Sequence, residues 1–174
     1  MRIHVLQFRI LSNRRRAAAE THPGVTQVKL NRTLLHVDDD PYILRIVAAK
    51  LKSCGYTVVS LSNSNRALEN LLEIDARLAL IDIDMPGIDG LSLLRDIKRL
   101  DGGIQVVMLT GLASTSTTLQ AMRWGSEGCV FKPVHDFAPL VAIIEAAFCK
   151  IDRWWASLAD LKQRKSILHG GHSE

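Results

Sequence analysis

The chain has 174 residues, 47% of them hydrophobic, with a mean hydropathy of +0.09 and a formal net charge of +4. That length suits one domain with a sizeable core, and no run approaches the ~18 apolar residues of a membrane span. The charge divides unevenly: residues 1–29 hold six Arg/Lys against one Glu (+5), residues 30–150 twelve against fourteen acids (−2), and residues 151–174 four against three (+1).

A nucleic-acid-binding core would gather positive charge on itself, so neither nucleic acid nor membrane is an expected partner of the central segment. The basic leading segment, residues 1–29, carries Arg14-Arg15-Arg16 and is expected to be a disordered arm. Its apolar stretch Ile3 to Leu11 precedes the Arg cluster, the reverse of a secretory signal. Cys54, Cys129 and Cys149 show no metal-ligand spacing and read as reduced, mostly buried thiols of a cytoplasmic protein.

From Thr33 to about Lys150, short apolar runs alternate with helical patterns five times. Strands are expected near 33–37, 56–60, 77–82, 104–109 and 128–131, and helices near 41–54, 64–74, 90–100, 115–124 and from 136 onward. The first, third and fourth runs lack polar alternation, as in strands buried on both faces of a parallel sheet. Asp40-Pro41 fits a helix start and Gly55 its stop. Pro86-Gly87 and Gly90 mark a tight loop after the third strand. The pattern is that of a doubly wound α/β domain over residues 30–150.

The fifth helix continues beyond such a domain. Phe137, Leu140, Ile144, Ala147, Ile151, Trp154, Leu158, Leu161, Lys165 and Leu168 follow at alternating steps of three and four, a heptad seam broken at Lys165. Such a helix over 136–168 would span ~50 Å. Residues 151–174 are expected to form this extension and a short tail, with Ile151, Trp154, Trp155, Leu158 and Leu161 lacking a core beneath them. The stripe calls for a partner, most simply a second copy making a homodimer through residues 136–168, or else it folds back as a satellite helix.

Asp38-Asp39, Asp82, Thr110 and Lys132 each follow one of the apolar runs TLLHV, LALI, VVML and CVF. In a parallel sheet with helical crossovers these strand ends share one edge, so the groups would meet in one crevice. Clustered carboxylates repel unless a cation sits among them, and Mg²⁺ held by carboxylates and phosphate oxygens is the natural occupant. Thr110 and Lys132 would face the remaining oxygens of a phosphoryl group. Asp40, Asp89 and Asp96 are expected to serve capping and surface roles instead.

The blocks VDDDP (37–41), LIDIDMPGIDG (80–90), VVMLTG (106–111) and FKP (131–133) resemble, in order and spacing, the receiver domain of two-component response regulators over roughly residues 30 to 150. The resemblance implies a five-stranded sheet in the order 2-1-3-4-5. It implies Asp82 as phosphoacceptor, four residues before Pro86, with Mg²⁺ on Asp39, Asp82 and the backbone carbonyl of Asp84, and Asp38 acting through a metal-bound water. Lys132 and Thr110 would bond phosphoryl oxygens, and the Lys132-Pro133 bond would be cis. Implied partners are a sensor histidine kinase or histidine phosphotransfer protein and a downstream target protein. The protein would not be an enzyme beyond transfer to its own Asp82.

Cys129 departs from the pattern, because the family usually carries Tyr or Phe three residues before the Lys as a switch that follows the Thr110 position. Asp84 and Leu112 are expected to tune the phosphoryl lifetime. His36 reads as a core histidine with one satisfied hydrogen bond. Asp82-Ile83-Asp84 also spells the D-x-D of haloacid-dehalogenase-like phosphohydrolases, but that family needs paired acids after its Lys, and here the pair Asp38-Asp39 comes first. Two output readings remain: a stand-alone receiver signalling through protein contacts, or a receiver fragment of a longer regulator with its effector elsewhere.

Overall fold

A computed structural model describes residues 32–111 and 114–169, with the backbone alone at residues 162, 163 and 165–169. The basic segment 1–29, Leu112 and the tail 170–174 lie outside the described residues. Five strands, β1 (Thr33–Val37), β2 (Thr57–Leu61), β3 (Leu78–Ile81), β4 (Gln105–Thr110) and β5 (Gly128–Phe131), form one parallel sheet in the order β2-β1-β3-β4-β5. Every residue of β1, β3 and β4 is buried, while β2 and β5, at the edges, are only partly so. The runs without polar alternation are thus the central strands, covered on both faces.

Helices α1 (Pro41–Ser53), α2 (Ala67–Glu73), α3 (Gly90–Leu100), α4 (Thr115–Arg123) and α5 (Ala138–His169) make the crossovers and the closing element. Asp40 caps α1 by accepting from the Tyr42 N–H, with Pro41 in the first turn, and Asp89 caps α3 by accepting from the Ser92 N–H. These two acids therefore have structural work, as expected; Asp96 lies on α3 and faces Arg99 at 3.7 Å. The helix expected over 64–74 is divided: a 3₁₀ turn at Ser64–Arg66 leads into α2. The cause is a tertiary contact, since Ser64 Oγ donates to the Pro86 carbonyl and accepts from the Ile88 N–H, drawing the turn onto the loop after β3.

The inner half of α5 packs through Leu140, Ile144, Ala147, Phe148 and Ile151, all buried, with Phe148 stacked on Tyr56 at 5.6 Å between ring centroids. Ile151 was expected to have no core beneath it, yet it is only 5% exposed. The domain reaches further along the helix than the heptad count implies: Arg77, just before β3, sits 5.9 Å from the ring centre of half-buried Trp155. Beyond that contact the stripe is open, with Trp154 67%, Leu158 46% and Leu161 57% exposed. One heptad register thus serves the interior first and the surface afterwards.

Candidate functional site

All five strands run the same way, so their C-terminal ends line one edge of the sheet. Val37 and Ile81 stand in register as the last residues of neighbouring strands, which sets Asp38 beside Asp82. The Asp82 N–H donates to the Val37 carbonyl over 2.9 Å and the Asp38 N–H to the Leu61 carbonyl over 3.2 Å, extending the ladders one residue into the site. Thr110 pairs with Phe131, and the Lys132 N–H donates to the Thr110 carbonyl over 2.8 Å. Topology alone brings residues 38, 82, 110 and 132 to one crevice.

Lys132 Nζ lies 2.7 Å from Asp38 Oδ2 and 3.0 Å from Asp82 Oδ2, bridging the two carboxylates. Asp38, Thr110 and Asp82 are all buried, whereas Asp39 and the Asp84 side chain are exposed. Asp38 Oδ1 accepts from the Asp40 N–H and Asp82 Oδ1 from the Ile83 N–H. Burial pulls the Lys132 ammonium toward neutrality, but its bonds to Asp38 and Asp82 outweigh this and raise it above the ordinary lysine value. Burial pushes the Asp38 carboxyl up, against the Lys132 charge and the Asp40 N–H that favour its ionised form. The Lys132-Pro133 bond is cis.

Oxygen atoms of Asp38, Asp39 and Asp82 lie within 4.8 Å of one another. Three carboxylates with one ammonium leave two negative charges in a small space, and hard oxygen donors on that scale suit a divalent cation. The Asp84 carboxylate is not part of the cluster. On the far side of Asp82, the loop is closed tightly: a Cβ on Gly90 would stand 1.9 Å from the Asp82 carbonyl oxygen. Only glycine fits there, so α3 begins directly against the backbone of the acid. Gly87 turns the same loop with φ +89°.

The cysteines are not mostly buried as expected: Cys54 and Cys149 are exposed, while Cys129 is half-buried on β5, opposite Met108 in register, and packs against the core cluster on that face, where burial pushes its thiol up. His36 differs from expectation. It is fully buried in β1, but neither ring nitrogen has a hydrogen-bond partner among the described residues, and Nε2 is 3.9 Å from Asp38 Oδ2. The apolar run TLLHV signalled that the residue is buried; the two-residue period of a strand, which sets 36 and 38 on one face, is the signal that places it against Asp38. The Ser64 bridge to the Pro86–Ile88 loop had no signal in the sequence.

Among the described residues, no helix is long and apolar enough to cross a membrane. The sequence profile of the response regulator receiver domain matches residues 34–145. The chain is 35% identical over 117 residues to the transcriptional regulatory protein ZraR of Escherichia coli K12, covering 67% of this chain and 26% of that one. Among solved structures, the beryllofluoride-activated NtrC4 receiver domain dimer aligns with a TM-score of 0.65 and 25% identity over 69% of this chain and 98% of that one. The response regulator protein TrrA of Thermotoga maritima, in complex with Mg²⁺-BeF, aligns with a TM-score of 0.61 and 26% identity over 66% of this chain and 97% of that one. The haloacid-dehalogenase reading of Asp82-Ile83-Asp84 gives way to this match. A crossover sheet in the order 2-1-3-4-5, an acid cluster bridged by a lysine at its strand ends and the profile over residues 34–145 together make this chain a member of the response regulator receiver family of two-component signalling.

Proposed function

We propose that this protein accepts a phosphoryl group on Asp82 from a sensor histidine kinase or a histidine phosphotransfer protein, in a cytoplasmic setting. It would then signal through contacts with a downstream protein. The observation that carries this is the Lys132 ammonium, 3.0 Å from one Asp82 oxygen, beside the three-carboxylate cluster. Asp38, Asp39 and Asp82, with the Asp84 carbonyl, are the groups that would hold Mg²⁺. Bound there, the ion supplies charge neutralisation for an incoming phosphoryl group.

The chain's own residues do the rest. An Asp82 oxygen forms the bond to phosphorus as the donor's P–N or P–O bond breaks, and the electron pair leaves with the donor. Lys132 pairs with one phosphoryl oxygen and the Thr110 hydroxyl donates to another. Both sit at the ends of rigid strands, so little reorganisation is needed. The transfer is to the protein's own side chain and is not turnover. Cys129 stands at the switch position behind Thr110 with far less surface than a ring.

The exposed end of α5 is the surface we assign to output, with a second copy as its simplest partner; the related NtrC4 receiver structure is described as a dimer. A second reading, a receiver segment of a longer regulator, draws on the 26% coverage of ZraR. An adjacent kinase gene and a continuing reading frame would separate the two. The site itself is tested with beryllofluoride and acetyl phosphate. Beryllofluoride should bind only with Mg²⁺ present, and Asp82→Asn should abolish labelling by acetyl phosphate. Equal labelling of Asp82→Asn and wild type would overturn the assignment.

A further inference from the structure

His36 and Lys132 stand on either side of the same oxygen. Asp38 Oδ2 has Lys132 Nζ at 2.7 Å and His36 Nε2 at 3.9 Å, and all of the Asp38 side chain is shut off from solvent. At 3.9 Å the imidazole is about 1 Å short of a hydrogen bond. It makes no other, since neither Nε2 nor Nδ1 has a partner among the described residues. An imidazole carries at least one N–H in either protonation state, so His36 has a proton to donate. A leucine would fill this central strand position without orphaned nitrogens.

The proposed chemistry moves Lys132. An ammonium that turns to a phosphoryl oxygen gives up part of its hold on Asp38 Oδ2. Asp38 is shut off from bulk solvent and its Oδ1 already accepts from the Asp40 N–H, so any Oδ2 lone pair not turned to the cation or its water is left without a donor. We propose that His36 is a positioning residue that takes over Asp38 Oδ2 when Lys132 engages the phosphoryl group, by closing the 3.9 Å gap and donating its Nε2–H. The imidazole is left wanting in the resting protein and satisfied in the phosphorylated one, so it biases the equilibrium toward the latter. This rests on Asp82 being the phosphoacceptor.

The test compares wild type, His36→Leu and His36→Gln. With ¹⁵N-labelled histidine, the His36 Nε2–H resonance, assigned by its loss in His36→Leu, should move downfield when Mg²⁺ and beryllofluoride are added. His36→Leu should unfold at the same or higher urea without ligand, yet bind beryllofluoride about tenfold more weakly, since a hydrogen bond to a charged group is lost. His36→Gln, whose amide can donate, should recover most of that affinity. An unmoved resonance, or His36→Leu binding as tightly as wild type, overturns the inference. If His36→Leu does not fold, the wild-type resonance and His36→Gln decide. Wild type that fails to take beryllofluoride with Mg²⁺ overturns the phosphoacceptor reading and this inference together, whereas wild type that binds it with no change at His36 overturns the inference alone.

Discussion

The Tyr56 hydroxyl donates to Glu145 Oε2 over 2.6 Å, joining the residue before β2 to the N-terminal part of α5 across 89 positions of chain. Arg32 Nη1 reaches the same oxygen at 2.5 Å while its guanidinium lies 5.7 Å over the Phe148 ring. The Tyr56 bond, and then the Arg32 bond, hold the Glu145 carboxyl below the ordinary glutamate value of 4.5. A depressed acid stabilises the fold above its unfolded value, and that contribution disappears as pH falls through the folded value. Tyr56→Phe should therefore raise the Glu145 titration midpoint, read from its side-chain carboxyl resonance. It should cost about 0.5–1 kcal/mol in urea unfolding at pH 7 and less at pH 4, a small figure because Glu145 is 44% exposed. An unchanged midpoint would dismiss the Tyr56 bond as the main cause.

Asp39 and Asp38 are neighbours with opposite expected effects. Asp39 is exposed and adds one more negative charge to the cluster, so Asp39→Ala should raise the ion-free melting temperature and strongly reduce the gain on adding Mg²⁺. Asp38→Ala breaks a buried pair with Lys132 and should cost about 3 kcal/mol without ion. Thermal melts of both variants with and without Mg²⁺ would check this. An undiminished Mg²⁺ gain in Asp39→Ala would remove it from the cation's ligands.

Cys129 tests the coupling between Thr110 and β5. Replacing it with Tyr adds a ring at a half-buried position against the core cluster. If an aromatic is missed there, beryllofluoride should perturb amide shifts over residues 114–131 more widely in Cys129→Tyr than in wild type. Equal or larger perturbation in wild type would show that the small side chain transmits well enough.

The outer stripe of α5 predicts self-association. Burying a large apolar side chain contributes roughly 1.5–3 kcal/mol, so Trp154, Leu158 and Leu161 together can offset part of the entropic cost of pairing. Because Ile151 and half-buried Trp155 belong to the domain, the informative truncation ends at Trp155 rather than at Lys150. Sedimentation at tens of micromolar should show a larger species for the full chain than for the truncated one. Two indistinguishable monomers would rule out the second copy as partner.

The sheet was legible because buried parallel strands need unbroken apolar runs, and TLLHV, LALI and QVVMLT supply them. The acid cluster followed from residues at the ends of those runs, and Asp40 and Asp89 declared themselves as caps by standing just before helical patterns. What stayed hidden depends on distances between remote parts of the chain. Nothing local tells Ser64 that the Pro86–Ile88 loop will hold it, or Ile151 that the domain still lies beneath it. Heptad spacing reports which side chains share a face, not what that face meets.

The helix that leaves the domain at Trp155 is also a lever. From there to His169 it runs about 21 Å at ~1.5 Å per residue, so a tilt of ~10° about the Arg77 contact would swing its tip by about 4 Å. Displacements too small to disturb the packing of Phe148 or Ile151 would become, at the far end, a change large enough to make or break a pairing.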